Sequence, residues 1–304
     1  MLLTSGYNNS DGYGYIYFVN PRNGALLESV RTPTASAGLA QATAYLKDFT
    51  DGTADAIYAG DLDGQVWRFD VSAERSVTGP YPAPVKLATV TDGASNAQPI
   101  TSQPLVEIDP KSRRRYVMFG TGQLLDSVDI KSGATQAFYA FVDGTANLFG
   151  TATGMTRSSL KAITNADLVS TTPIDFTGKS GWYIELGSTG NVGWRMISNA
   201  TSHDGVVAFA SLLTTGTACS PAGQSNIYAI KFGSGASALV TPTGTPTAFA
   251  FNAAAITDLK FLGVDGKAQV IGGDVEGKRR KLDTQPGGDP SVRLLNWREV
   301  PTVD

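Results

Sequence analysis

Short apolar runs separated by turns of Gly, Asp and Asn make up most of the chain, and sustained helical periodicity is nearly absent. Leu2-Leu3-Thr4-Ser5-Gly6 leads through Asn8-Asn9-Ser10-Asp11-Gly12 into Gly14–Val19, and Asn23-Gly24 turns the chain into Ala25–Val30. A second unit runs Ala56–Gly60, a turn at Asp63-Gly64, then Gln65–Asp70 and Val85–Val90. A third goes from Arg115–Gly122 to Gln136–Gly144, a fourth pairs Gly205–Ser211 with Ser225–Phe232, and a fifth pairs Ala268–Asp274 with Gly277–Leu282. Each unit is an apolar strand ending in Gly, a turn, and a strand carrying Tyr or Trp. A sentence of this kind repeated about every 45–60 residues predicts the blades of a β-propeller, with small residues on the crowded inner strand. The fold class is therefore all-β, a single propeller domain over 1–304. The polar stretch 145–180 is expected to be a loop insertion or an extra outer strand, with a short helix near Ser158–Ala162.

Composition narrows the function classes. The chain has 304 residues, 41% hydrophobic and 17% charged, with a formal net charge of −3, so no global basic field attracts nucleic acid or anionic membranes. The clusters Lys111-Ser112-Arg113-Arg114-Arg115 and Lys278-Arg279-Arg280-Lys281 read as solvated loops. One cysteine, Cys219, excludes an intrachain disulfide and a cysteine metal cage, and one histidine, His203, excludes a His-rich metal site. No apolar run approaches the roughly 20 residues that span a bilayer, so membrane insertion is not expected. Met1–Gly6 reads as a strand, without the basic and apolar regions of a signal peptide.

Tyr58-Ala59-Gly60-Asp61-Leu62-Asp63-Gly64-Gln65-Val66-Trp67-Arg68-Phe69-Asp70 closely resembles a strand pair of the PilY1/PilC-type family, adhesins and assembly factors of bacterial type IV pili. Phe119–Leu125 followed by Gln136–Ala140, then Thr4–Asn9, Gly181–Leu186 and Asn296–Val300, match that family's segments in type and order. The resemblance covers nearly the whole chain and implies the family's C-terminal propeller. About five blades are visible of the seven it implies, so a fragment or truncated propeller is expected. It further implies a non-enzymatic protein at the bacterial cell surface, at the pilus tip or outer membrane, exported through the periplasm. Its partners would be pilus subunits or minor pilins, or a host or surface ligand.

The resemblance also implies a calcium loop of alternating carboxylates just before Tyr58, since Ca²⁺ takes six to eight oxygens converging around a sharp Gly turn. Aligned on Gly52, Asp51 and Asp55 are present, but Lys47 and Phe49 occupy the two earlier ligand positions. Asp48 and Thr50 carry oxygens one place out of register. The four residues Asp48, Thr50, Asp51 and Asp55 form either a degenerate calcium site or a plain hairpin turn in which Asp55 caps the next strand. Asp61 and Asp63 are expected to form the opposite turn. Asp258, Asp265-Gly266, and Asp274 with Glu276-Gly277 read as blade turns, and Cys219 as a structural residue in a turn. The Arg-Gly-Asp tripeptide some relatives use for adhesion is absent, Ala59 standing before Gly60-Asp61. Two alternatives remain open: a quinoprotein-like dehydrogenase propeller, which lacks here the paired cysteines such enzymes use, and a carbohydrate-binding propeller.

Overall fold

The computed structural model describes residues 1–7, 9–35, 38–72, 80–187, 192–216, 222–264 and 267–285. Cys219, Asp265-Gly266 and Asn296–Val300 lie outside the described residues. Among the described residues five sheets follow one another along the chain. The first is β1 (Leu2–Thr4), β2 (Tyr13–Val19) and β3 (Leu26–Ala35), and the second is β4 (Leu39–Tyr45), β5 (Ala56–Asp61), β6 (Gln65–Asp70) and β7 (Val85–Thr89), each in sequence order. The third holds β8 (Leu105–Ile108), β9 (Arg114–Gly120), β10 (Ala137–Thr145), β11 (Lys161–Ile163) and β12 (Gly181–Glu185) in the order β11-β12-β10-β9-β8. The fourth runs β13 (Thr201–His203), β14 (Val206–Thr214), β15 (Gly223–Lys231) and β16 (Ala236–Ser237), with β17 (Ala250–Asn252) also on β15. The last is β18 (Ile256–Val264), β19 (Lys267–Asp274) and β20 (Arg279–Asp283).

Alternation along the middle strands explains their continuous apolar runs. On β10, Phe138 and Ala140 pack with Val207 and Phe209 of the fourth sheet, while Ala137, Tyr139 and Phe141 pack with Tyr58 and Val66 of the second. On β14, Val206, Ala208 and Ala210 turn instead to Ile256, Leu259 and Val270 of the fifth sheet. Ile16 and Val30 of the first sheet meet Ile57, Ala59, Trp67 and Phe69 of the second. Each core thus joins two successive sheets face to face, the packing of propeller blades. Phe138 and Phe209 stack across the third and fourth sheets with ring centroids 3.9 Å apart.

Two sequence signals have direct physical causes. A Cβ on Gly60 would lie 2.3 Å from Ile100 Cγ2, and one on Gly120 would lie 2.2 Å from Met196 Sδ. Glycine stands at or next to the end of both strands because the segment leaving the blade crosses there: Ile100 N–H donates to Asp61 O and Met196 N–H to Thr121 O, each at 2.9 Å. The turn Gly60-Asp61-Leu62-Asp63-Gly64 recurs as Gly273-Asp274-Val275-Glu276-Gly277. Asp61 Oδ1 accepts from Asp63 N and Gln65 N at 3.0 and 2.8 Å, and Asp274 Oδ1 accepts from Glu276 N and Lys278 N at 3.1 and 2.8 Å. Asp61 is fully buried, and its Oδ2 also accepts from Trp67 Nε1 at 2.9 Å, fixing the indole between the first two blades.

Several expectations are corrected. Arg115, read as part of a solvated cluster, is fully buried in β9. Its guanidinium donates to Asp143 O at 2.8 Å and Ala146 O at 3.3 Å inside the fold. The second basic cluster keeps exposed side chains, but Arg279–Lys281 belong to β20. Asp258 lies within β18 and not in a turn. Between 145 and 180 the chain forms a 3₁₀ turn at Arg157–Ser159, the outer strand β11 and a short helix at Asn165–Leu168, so the helix falls later than expected. β11 pairs in parallel with β12, Lys161 opposite Trp182.

A buried polar junction ties the second and third sheets. The β9–β10 ladder skips between Val142 and Thr145, and this bulge re-aims Asp143 out of the ladder. Its carboxylate accepts from Tyr58 Oη at 2.7 Å, Arg68 NH1 at 2.6 Å and Gly150 N at 3.0 Å. Burial and the adjacent Asp143 push the Tyr58 hydroxyl far above the usual tyrosine range, so it remains a donor.

Asp143→Ala strands Arg68 without its counter-ion and is expected to cost about 3–5 kcal/mol in urea unfolding. A loss below about 1 kcal/mol, ordinary for an exposed pair, would show that the junction does not depend on it. Burial pushes the Asp61 carboxyl up to about 7, against the pull of its donors. An unfolded aspartate titrates near 3.9, so between about pH 4 and 7 the folded state binds more protons and stability falls as pH rises. Asp61→Asn is expected to flatten that slope when unfolding free energies at pH 4.5 and 7.5 are compared. An unchanged slope would assign it to another group.

Candidate functional site

The acidic loop connects β4 to β5 as the end of a hairpin. Asp55 N–H closes it on Tyr45 O at 2.8 Å, and Asp55 Oδ2 accepts from Lys47 N at 2.7 Å. Asp48 Oδ1 accepts from both Thr50 N and Thr50 Oγ1, at 2.8 and 2.6 Å, and these bonds hold its carboxyl below the usual aspartate range. Asp51 Oδ1 accepts from Thr53 N at 2.8 Å. All four predicted oxygen donors thus stand in one hairpin, each carboxylate engaged by a local N–H. Phe49, at one of the earlier ligand positions, is 83% exposed.

The other such position, Lys47, brings a cation to the loop. Its Nζ lies 3.7 Å from Asp55 Oδ1 and 4.4 Å from the centre of the Phe149 ring. Of the expected calcium donors, Asp55 already faces an ammonium. Among the described residues no three of His, Cys, Asp and Glu group in a way that could hold a metal.

Phe149 links this loop to the buried junction. Arg115 stands 4.3 Å and Arg68 4.9 Å from the same ring, so three cations surround one aromatic side chain. Arg115 also lies 4.2 Å over the Tyr45 ring, and Tyr45 Oη donates to Ala146 O at 3.0 Å. Carbonyls of Asp143, Ala146 and Gly150 are therefore held by Arg115, Tyr45 and Arg68. The arrangement is a clamp that fixes the 145–150 connection against the second blade. Sequence reading missed Tyr45, Arg115 and Phe149 as parts of it. The one local signal was Asp143-Gly144 directly after an apolar strand, which marks a bulge or turn.

The other polar residues of the Tyr58–Asp70 stretch also hold structure. Asp61 and Asp63 form the opposite turn as expected, Trp67 is bound by Asp61 and Arg68 by Asp143.

Residues 2–174 match the family described as the PilY1 β-propeller domain. A type IV pilus biogenesis factor PilY1 homolog of Xylella fastidiosa is 27% identical over 328 aligned residues, covering 99% of this chain and 25% of that protein. The type IV pilus biogenesis factor PilY1 of Pseudomonas aeruginosa PAO1 is 28% identical over 189 residues, covering 49% of this chain and 16% of its own length. The chain therefore spans a quarter or less of these curated relatives. The crystal structure of the Pseudomonas aeruginosa PilY1 C-terminal domain superposes with a TM-score of 0.69 at 20% identity, covering 94% of this chain and 68% of that one. With five blade-like sheets packed in succession and a family match over more than half its length, the chain belongs to the PilY1 β-propeller family.

Proposed function

We propose that this chain is the propeller of a non-enzymatic factor in type IV pilus biogenesis, displayed at the bacterial surface after export through the periplasm. The observation that carries this reading is the alignment over 99% of the chain with a relative named as a pilus biogenesis factor. The architecture supports it. The half-buried Arg68 and the buried Arg115, Asp61 and Asp143 are taken up in holding blades and connections, which leaves the exposed loops as the displayed surface. Partners of this surface are pilus subunits or minor pilins, with a host or surface ligand as the adhesive alternative.

Calcium is not required by the hairpin in this reading. Lys47 supplies the positive charge that Asp55 faces, and Phe149 holds the Lys47 ammonium against the neighbouring blade.

In-frame removal of codons 1–304 from the parent gene is expected to abolish surface pili or twitching motility, and normal piliation and motility would overturn the assignment. Dye-linked alcohol oxidation after addition of pyrroloquinoline quinone and calcium would favour the dehydrogenase alternative, and specific capture on a glycan array the carbohydrate-binding one. For the hairpin, calcium titration calorimetry should give no saturable heat with the wild type. Lys47→Asp combined with Phe49→Asp should create saturable binding, by restoring carboxylates at both missing positions. Saturable wild-type binding that disappears in Asp51→Ala and Asp55→Ala would instead make the hairpin a working calcium site.

A further inference from the structure

The basic run Lys278-Arg279-Arg280-Lys281 leads into and along β20, at the outer edge of the fifth sheet. Lys278 pairs with Glu276 at 2.8 Å, and Arg280 turns to the fourth sheet, where its Nε donates to Asn252 Oδ1. Arg279 and Lys281 stand on the opposite face. The register sets Lys281 beside Ile271 and Ile271 beside Lys260, and it sets Arg279 beside Gly273 and Gly273 beside Asp258. This face is turned away from the core formed by Leu259, Val270 and Leu282. Lys260 pairs with Asp258 at 3.5 Å, whereas among the described residues neither Arg279 nor Lys281 has an ion-pair partner. A groove of about 420 Å³ crosses the face between Lys260, Ile271, Gly273 and Arg279.

The backbone of β20 is open along the same stretch. Asp274 N–H donates to Lys278 O and Thr284 N–H to Ala268 O, at 3.1 and 3.3 Å. Hydrogen-bonded pairs alternate along an antiparallel ladder, so Arg280 and Leu282 bond to β19, while Arg279, Lys281 and Asp283 turn their N–H and C=O groups outward. The chain already pairs with this edge at one end: Val240 N–H donates to Asp283 O at 3.3 Å, and Gln285 N–H to Ala238 O at 2.8 Å. That pairing stops short of Lys281. In the three preceding sheets the chain covers outer strands itself, with Gly154-Met155 on β7, β11 on β12, and β16 and β17 on β15. Among the described residues no strand covers Arg279–Lys281.

We propose that the edge at Arg279–Lys281 takes up an acidic, extended segment of a partner polypeptide as an added strand. Residues two apart on the incoming strand share the face of Arg279 and Lys281, so the chemistry selected is Glu or Asp at alternate positions, each opposite a cation. A second copy of β20 would set cation against cation, and an edge charged in this way discourages self-pairing. Ile271 and Leu262, the latter 43% exposed, give the groove an apolar floor for the stems of those side chains. The inference rests on the reading of this chain as a protein-binding propeller and names the kind of segment a partner would offer.

The probe is the capped peptide acetyl-Val-Glu-Val-Glu-Val-amide, titrated into the full isotopically labelled chain while the backbone amide signals of Arg279 and Lys281 are followed by NMR. A saturable shift is expected, weakening as salt is raised. The peptide with Gln in place of both Glu residues should bind about three- to tenfold more weakly, because two exposed charge pairs are lost. A Glu peptide N-methylated at the amides that meet the edge should not bind. Arg279→Glu combined with Lys281→Glu, both at exposed positions, should reject the Glu peptide and accept the corresponding Lys peptide. The proposal is overturned by the absence of a saturable shift up to the peptide's solubility, by equal affinity for the Glu and Gln peptides, or by an N-methylated peptide that binds as well as its parent. Binding confined to a chain ending at Gln285 would give the edge to the chain's own C-terminal residues, and tighter binding of a single-stranded DNA oligonucleotide would give the cations to nucleic acid; either overturns it too. The titration reports on the edge alone, whereas piliation of the deletion strain reports on the pilus reading, so either can fail without the other.

Discussion

The middle strands of this chain are apolar on both faces, and a strand of that kind is stable only between two partner sheets. β10 sends Tyr139 and Phe141 one way and Phe138 the other, and β14 does the same with Ala208 and Phe209. Fully burying each aromatic contributes roughly 1.5–3 kcal/mol relative to exposure, so no blade here is a separate folding unit. This two-sided demand makes the sheets stack in chain order. The segments leaving the second and third blades cross the ends of β5 and β9, where Gly60 and Gly120 give them room.

Tight stacking creates a polar problem at the blade edges, where connections bury carbonyls and charges. The chain meets it with side chains from the next blade: Arg68 and Tyr58 of the second reach Asp143 of the third, and Arg115 of the third reaches Tyr45 of the second. Such contacts bind blades by groups that each need the other, so removing one member costs more than the contact itself provides. Lys47 extends the same cluster outward to the acidic hairpin, through the Phe149 ring that Arg68 and Arg115 already flank. The hairpin and the 145–150 connection are therefore mechanically one feature, and its position is set from within.

What was legible in the sequence follows from this physics. β5, β6, β9, β10, β14 and β15 could be read because two-sided burial writes continuous apolar runs. β4, with Leu39-Ala40-Gln41-Ala42-Thr43-Ala44-Tyr45, could not, because it has exposed positions and small residues that carry no period. β11 is three residues long and held by a parallel partner about twenty residues on, which leaves no local trace. Arg115 is misleading in sequence because a run of basic residues looks solvated unless its partners are known, and those partners come from two distant segments, Asp143–Ala146 and Tyr45. In the acidic hairpin the substitution at Lys47 was visible, but the Phe149 ring that holds its ammonium was not.

The same distinction separates the residues that mark the family from those that would confer specificity. Tyr58, Gly60, Asp61, Gly64, Trp67 and Arg68 carry the family resemblance, and each has a structural task that any propeller of this construction must perform. They identify the disc and leave its partner open. Information about a partner has to reside where the structure leaves chemistry unsatisfied.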